Sequence, residues 1–120
     1  MEELTKTEER IMQVLWNLKS AFIKDIIDNL PDDPKPPYNT ISSVVRLLET
    51  KNYIGHKAYG KTHEYFPLIS KIAYRKHSFT KLLTNYFDGS AESLLSFMVS
   101  EEKLKEDDIE SIREFINKQK

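Results

Sequence analysis

A short polar stretch holds the side chains with the clearest chemistry in this sequence. From Asn39 to Arg46, small hydrogen-bonding side chains and one cation alternate with apolar residues at helical spacing, including Ile41, Val44 and Val45. This spacing predicts a helix with one buried side. The opposite side then carries Asn39, Thr40, Ser42, Ser43 and Arg46. Asn and Arg can pair with base edges in the major groove of DNA, and Ser and Thr can bond to bases or phosphates.

The charge distribution along the chain is consistent with a polyanionic partner. Residues 35–81 contain nine Lys or Arg and only two acids, Glu49 and Glu64, together with all three histidines. The segments on either side are acidic, so the net charge of −1 conceals a basic middle block. A local field of this kind attracts a polyanion. A solvated lysine-rich face is the alternative explanation, and charge alone does not exclude it.

Enzyme chemistry finds no support in the sequence. The chain has no cysteine, which excludes disulfides, thiolate metal sites and cysteine nucleophiles. It also lacks a Gly-rich phosphate loop and an H-E-x-x-H motif, and no Ser–His–Asp arrangement stands out. His56 and His63 can face each other across a hairpin, but the third ligand would be Glu64, which points away in an ideal strand. We therefore predict no catalytic residues, no cofactor and no metal site.

Two short helices are predicted before the polar stretch. The first begins at Thr5, where Glu8 three residues later completes a capping box. Residues 20–22 then form a break that can pair as a short strand. Apolar residues at helical spacing predict a second helix over residues 23–30, which ends at a proline-rich loop.

The polar stretch belongs to a third helix, and a hairpin follows it. Asn39 is the predicted N-cap of this helix, which ends near Asn52. Residues 53–59 and 62–67 are rich in β-forming side chains and are separated by Gly60-Lys61, which predicts a hairpin with a tight turn.

Three helices followed by a β-hairpin form the arrangement of a winged helix-turn-helix domain. In such a domain the third helix enters the major groove, and contacts to the phosphate backbone position the protein. We predict that residues 1–69 form this DNA-binding domain. The predicted DNA contacts are Lys35, Asn39, Thr40, Ser42, Ser43, Arg46, Lys57, Lys61 and His63. A winged-helix module used only for protein–protein contact is the alternative.

The remaining residues, 70–120, predict a helical region. A long helix covers residues 70–87 and ends at Gly89, Ser90 caps the next helix, and a last amphipathic helix follows an acidic break. A tail of roughly 30 residues cannot build a full core alone, so it either folds back on the N-terminal unit or pairs with a second copy of the chain. Pairing is favoured because one winged-helix unit reads only a few base pairs and two-fold pairing doubles the site. The residues predicted to support dimerisation are Phe79, Leu83, Tyr86, Phe87, Leu94, Leu95, Met98, Ile109, Ile112 and Ile116. The predicted fold class is therefore mainly α with a small β-hairpin, an N-terminal winged helix-turn-helix plus a C-terminal helical dimerisation region.

Several stretches, in order, resemble the penicillinase-repressor (BlaI/MecI/CopY) family of bacterial winged-helix transcriptional repressors. They are LTKTEERIMQVLW, NTISSVVRLLETKNYI, GKTHEYFPLIS, YFDGSAESLLSFM and EEKLKEDDIESIREFI, and they cover nearly the whole chain. The resemblance implies a homodimer that binds a palindromic operator in duplex DNA. Asn39 and Ser42 replace basic residues of the family pattern, so no operator sequence is transferred to this chain.

The resemblance also implies how repression is relieved. Members of the family are commonly released from DNA when a membrane-bound sensor metalloprotease causes cleavage in the dimerisation region. The corresponding bond lies close to Phe97-Met98. No signal peptide or apolar run long enough for a membrane span is present, so we expect a cytoplasmic protein without membrane insertion.

Overall fold

Six helices and one two-stranded hairpin make up the computed structural model of the chain, which describes residues 1–101 and 105–118. In chain order they are α1 (Lys6–Leu18), α2 (Ile23–Asp28), α3 (Tyr38–Thr50), β1 (Ile54–Tyr59), β2 (Thr62–Pro67), α4 (Lys71–Phe87), α5 (Ala91–Ser100) and α6 (Glu106–Lys118). The mainly α fold with a small hairpin is confirmed. The chain divides into two compact units, Met1–Lys76 and His77–Lys120.

The predicted capping box begins α1 and is confirmed. The hydroxyl of Thr5 accepts the backbone N–H of Glu8 at 3.2 Å, and the Glu8 carboxylate accepts the backbone N–H of Thr5 at 2.9 Å. These bonds satisfy two donors that the first turn of a helix leaves without intrahelical partners. The following residues bury one face of α1, with Ile11, Met12 and Leu15 fully inaccessible to solvent.

The core of the N-terminal unit lies between α1, α2, α3 and the hairpin. Its members are apolar residues whose spacing follows the helical period in each helix. They are Leu4, Ile11, Met12, Val14, Leu15, Ala21, Ile23, Ile26, Leu30, Ile41, Val45, Leu48, Tyr53, Ile54 and Tyr65. Trp16 packs against this cluster, and its indole N–H donates to the carbonyl of Ile69 at 2.9 Å. The indole therefore ties α1 to the segment after the hairpin.

The hairpin is antiparallel and is anchored to the helices by a third short segment. Its register pairs Ile54 with Pro67 and Tyr59 with Thr62, and Gly60 adopts a φ of +64° in the turn. A glycine accepts this left-handed conformation without steric cost. The predicted pairing of residues 20–22 is confirmed, because Ala21 and Tyr65 exchange backbone hydrogen bonds of 2.9 and 2.8 Å.

Two predicted helix boundaries were wrong. Pro37, rather than Asn39, is the N-cap of α3, with φ −62° and ψ 146°. The fixed φ of proline suits this position, and Asn39 lies inside the first turn. Helix α2 ends at Asp28 instead of residue 30, and the amide of Asn29 donates to the carbonyl of Asp25 at its C-terminus.

The boundary between α3 and the hairpin also differs from the prediction. Tyr53 precedes β1 instead of opening it, and its side chain is fully buried in the core. Its hydroxyl donates to the carbonyl of Glu2. The last residues before the strand turn the chain, because Asn52 has a φ of +66°. Packing of the large aromatic ring therefore takes precedence over its strand preference.

The C-terminal unit is built from helices with caps of their own. The hydroxyl of Ser90 accepts the backbone N–H of Ser93 at 3.0 Å, so the predicted N-cap of α5 is confirmed. Gly89 has a φ of +76°, as expected for a residue that follows a helix end. Among the described residues, no helix is long and apolar enough to cross a membrane.

Candidate nucleic-acid interface

The two sides of α3 differ as the sequence pattern predicts. Ile41, Val45 and Leu48 are buried in the core. The residues on the opposite side reach solvent: Asn39, Thr40, Ser43 and Arg46 are exposed, and Ser42 is half-buried. The helix thus presents a surface of short polar groups and one guanidinium, a composition that can address both base edges and phosphates.

Hydrogen bonds along α3 decide which donors remain available on this surface. The Ser43 hydroxyl donates to the carbonyl of Asn39 at 2.9 Å, and the Thr50 hydroxyl donates to the carbonyl of Arg46 at 3.0 Å. Within residues 1–101 and 105–118, the hydrogen bond that the Arg46 guanidinium makes is to the Ser42 hydroxyl, at 3.4 Å. A guanidinium carries five N–H donors in a planar fork, so Arg46 keeps most of its bonding capacity for a ligand.

The hairpin brings a lysine and a histidine near α3. An open concavity of about 450 Å³ is lined by Tyr38, Ser42 and Arg46 from α3 and by Lys61 and His63 from the hairpin. Four of these five residues are predicted contacts, and the fold places them around one depression. Its cationic side chains come from α2 (Lys24), α3 (Arg46) and the hairpin (Lys61), which suits an anionic ligand.

Five of the nine predicted contacts lie outside this concavity: Asn39, Thr40 and Ser43 on α3, and the two lysines Lys35 and Lys57. Lys57 is exposed on β1, where its ammonium is 5.3 Å from the centre of the Tyr59 ring. Lys35 turns back toward the C-terminus of α2 and donates to the carbonyls of Leu30 and Asp28, the latter at 3.3 Å. The ammonium of Lys35 therefore closes the proline-rich loop, and its contact with DNA stays a prediction.

An acidic group and two histidines adjoin the cationic residues. The Nδ1 atom of His56 contacts the carboxylate of Glu49. The rings of His56 and His63 stack with centroids 4.2 Å apart and an interplanar angle of 5°, so the predicted contact across the hairpin is confirmed. In the part of the chain that the structure describes, no group of three or more His, Cys, Asp or Glu could hold a metal ion.

Tyr65 forms part of the wall of the concavity. Burial, followed by the nearby negative charge of Glu49, raises the pKa of the Tyr65 hydroxyl above its ordinary value of 10.0. The phenol therefore stays neutral at physiological pH and can donate a hydrogen bond.

A partly buried ion pair holds the C-terminal end of α3 against α1. The Lys51 ammonium lies 2.9 Å from both carboxylate oxygens of Glu8 and donates its hydrogen bond to Oε1. Burial raises the pKa of the Glu8 carboxyl. The hydrogen bonds from Thr5 and Lys51 together lower it by more, so the pKa lies below its ordinary value of 4.5. Glu8 is therefore ionised at neutral pH, and it fixes the end of the helix that carries the polar surface.

Several residues of this surface were not singled out by the sequence pattern. Tyr38 and Leu47 are more than half exposed on α3, and Lys24 and Thr62 line the concavity. The helical period places Ser43, Leu47 and Thr50 on the same side of α3. In the structure all three line a shallow depression beside Arg46. That period was the signal in the sequence that could have identified Leu47 and Thr50.

The residues predicted to support dimerisation are incompletely covered within the C-terminal unit. Phe79 and Tyr86 are exposed at 50% and 77%, and the remaining described members are half-buried: Leu83, Phe87, Leu94, Leu95, Met98 and Ile109. The side chains of Ile112 and Ile116 lie outside the part that the structure describes. Helices α5 and α6 border an apolar groove of about 510 Å³, in which Leu95, Val99 and Ile109 take part.

The proposed cleavage position lies within a regular helix. The peptide bond between Phe97 and Met98 belongs to α5, and the Phe97 ring is 51% exposed and 5.6 Å from the ring of Phe87. A helical bond does not fit an extended substrate cleft, so cleavage there requires local opening of α5.

The fold and the polar surface together define a winged helix-turn-helix protein of the DNA-binding transcriptional regulator class. The match to the penicillinase repressor family extends over residues 4–118. The chain therefore belongs to the penicillinase repressor family, whose members are transcriptional repressors and not enzymes.

Individual relatives agree with this assignment. The methicillin resistance regulatory protein MecI of Staphylococcus aureus (strain N315) is 25% identical over 116 residues, which cover 97% of this chain and 94% of MecI. The penicillinase repressor of Bacillus licheniformis is 22% identical over 121 residues, covering 98% and 92% of the two chains. The solution structure of the DNA-binding domain of the repressor BlaI superposes with a TM-score of 0.52 at 23% identity, covering 62% of this chain and 94% of that domain. The last comparison bears on the fold alone.

Proposed function

We propose that the chain is a homodimeric repressor that binds a palindromic operator in duplex DNA, with α3 in the major groove and the hairpin against the phosphate backbone. The observation that carries this proposal is the set of residues around one concavity, Ser42 and Arg46 from α3 and Lys61 and His63 from the hairpin. In a winged helix-turn-helix domain the recognition helix reads bases while neighbouring cations contact phosphates.

The electrostatics of the surface support DNA over a protein partner. Arg46 retains unused donors, and Lys57 and Lys61 are exposed on the hairpin. The carboxylate of the acid on α3, Glu49, contacts the His56 ring and is therefore already engaged within the protein. Phosphate contacts of this kind dominate affinity for DNA and make it depend on salt.

The C-terminal unit supplies the proposed dimer contact. In this proposal, residues 1–69 form the DNA-binding domain and residues 70–120 form the dimerisation region. Phe79 and Tyr86 leave large apolar surfaces in solvent, and Leu95 and Ile109 border an apolar groove. Burial of these surfaces against a second copy removes them from water, which favours association. A two-fold dimer then presents two α3 helices to two half-sites, which explains why the operator is a palindrome.

Release from the operator is the remaining part of the proposal. Cleavage near Phe97-Met98, prompted by a membrane-bound sensor metalloprotease, cuts α5 and separates the two subunits. Each separated DNA-binding domain then binds a single half-site. The affinity falls because the second domain is no longer held next to the other half-site. The protein acts in the cytoplasm, where its DNA lies.

Fluorescence anisotropy with a labelled duplex tests the proposal. The probe is the duplex that the full chain selects from random-sequence DNA, titrated at several salt concentrations. Affinity should fall steeply as salt rises, because binding releases counterions from the phosphates. A flat salt dependence would exclude the DNA-binding interpretation and favour the protein–protein module.

Arg46→Ala should weaken operator binding by about 1–3 kcal/mol, the cost of losing a base contact. Lys105→Ala is the matched control, because it removes one exposed positive charge from the C-terminal unit. The control should bind like the wild type. Equal affinities of Arg46→Ala and the wild type would contradict the assignment of the reading face.

A further inference from the structure

An exposed leucine interrupts the polar surface of α3. Leu47 is 55% exposed, whereas its neighbour Leu48 is fully buried. Leu47 lines a shallow depression together with Ser43, Arg46 and Thr50, all on the side of the helix that faces away from the core. The core side of α3 is already occupied by other apolar residues, so Leu47 gains little from folding of this unit.

The surroundings of Leu47 are less polar than the sequence suggests. The hydroxyls of Ser43 and Thr50 both donate to backbone carbonyls of α3, at 2.9 and 3.0 Å. Their donors are therefore used within the helix, and their carbon atoms contribute to the surface around Leu47. The result is a small apolar patch beside the guanidinium of Arg46.

We propose that Leu47 recognises the 5-methyl group of a thymine in the major groove, and this inference rests on the proposed function of α3. Thymine is the one standard base that presents a methyl group there, next to the O4 acceptor. An apolar side chain such as that of Leu47 can contact this methyl group, while Arg46 bonds to an adjacent base or phosphate. Leu47 is thus a specificity-determining residue, and the half-site contains a thymine at the position facing it.

Contact with a second copy of the chain is the competing explanation for an exposed leucine. The position of Leu47 favours DNA, because the depression is shared with Arg46 and the long cations nearby repel a similarly charged copy. The apolar surfaces available for self-association lie instead in the C-terminal unit, at Phe79, Tyr86 and the groove of α5 and α6.

A double-mutant cycle between protein and DNA tests this inference. The full-length wild type and Leu47→Ala are titrated, at one salt concentration, against the selected operator and against the same duplex with deoxyuridine in place of each half-site thymidine. Deoxyuridine lacks only the methyl group and keeps all base-pairing hydrogen bonds. The wild type should lose about fourfold in affinity for each methyl group that Leu47 contacts, the effect of one buried group of this size.

In Leu47→Ala the same base substitution should change affinity less than twofold. Leu18→Ala is the matched control: Leu18 is 39% exposed at the end of α1, outside the proposed interface, and this variant should keep the wild-type response to deoxyuridine. Alanine is the strongest helix former, so both variants should retain the helix. Circular dichroism and sedimentation of the free proteins check the fold and the dimer.

Three results would overturn the inference while leaving the proposed function intact. They are a salt-dependent wild-type complex insensitive to deoxyuridine, an equal thymine preference in Leu47→Ala, and loss of the dimer in Leu47→Ala. A wild-type chain without salt-dependent binding to any duplex would instead overturn the proposed function itself.

Discussion

Replacing Glu8 by Gln should destabilise the N-terminal unit by removing the charge that joins α1 to the end of α3. The Glu8 and Lys51 side chains are 3% and 22% exposed, and Lys51 Nζ lies 2.9 Å from the carboxylate. Gln is also compatible with a capping box, so the variant keeps the bond to Thr5 and isolates the loss of the ion pair. A hydrogen bond to a charged group contributes about 1.5–3 kcal/mol, so we expect the free energy of unfolding at pH 7 to fall by about 2 kcal/mol.

The pH dependence of unfolding provides a second readout of the same pair. The pKa of Glu8 in the folded chain lies below its ordinary value of 4.5. Stabilisation by this carboxylate is therefore fully present above that value and is lost as the pH falls through the folded pKa. The wild type should lose more stability than Glu8→Gln between pH 7 and pH 3, so the difference between the two chains should shrink in acid.

Urea unfolding followed by the fluorescence of Trp16 measures both effects. Trp16 is the single tryptophan, and it contacts the core of the N-terminal unit, so its signal reports on the unit that contains the ion pair. Asp33→Asn is the control, because it removes an exposed carboxylate and should leave stability unchanged. If Glu8→Gln stays within about 0.5 kcal/mol of the wild type, the range of ordinary surface substitutions, and follows a parallel pH curve, the ion pair does not stabilise the fold as argued.

Two further predictions concern DNA affinity and assembly. Glu49→Gln removes a carboxylate from α3 and should raise operator affinity about threefold, because it removes the solvent-screened repulsion between this carboxylate and a nearby phosphate. The control Glu110→Gln, on α6, should leave the affinity unchanged. If the affinity measured by fluorescence anisotropy is unchanged or lower in Glu49→Gln, α3 does not lie near the phosphates. Leu95→Asp introduces a charge into the groove of α5 and α6 and should convert the dimer to a monomer on sedimentation, whereas Ser93→Asp on the exposed side should not. A Leu95→Asp dimer would exclude this groove from the interface.

The local features of the fold were predictable from the sequence because they depend on residues close together in the chain. The capping box of Thr5 and Glu8, the tight turn at Gly60 and the cap at Ser90 all follow from spacings of a few residues. The buried side of α3 follows from the helical period alone. Asn39 was misassigned as the N-cap because its type favours that position, whereas the preceding Pro37 already starts the helix.

Features that depend on distant residues could not be read from the sequence. The ion pair of Glu8 and Lys51 joins positions 43 residues apart, and nothing in the local pattern indicates it. The path of the proline-rich loop, which brings the Lys35 ammonium to the carbonyl of Leu30, is likewise not indicated by the charge of the lysine.

Footprinting of the full-length protein on the DNA that flanks its own gene tests the central claim most directly. A homodimeric repressor with one α3 helix per half-site should protect a dyad-symmetric sequence whose half-sites are centred about one or two helical turns apart. Arg46→Ala should lose this protection at concentrations where the wild type gives it in full. Absence of protection, or protection of a single site without two-fold symmetry, would contradict the account.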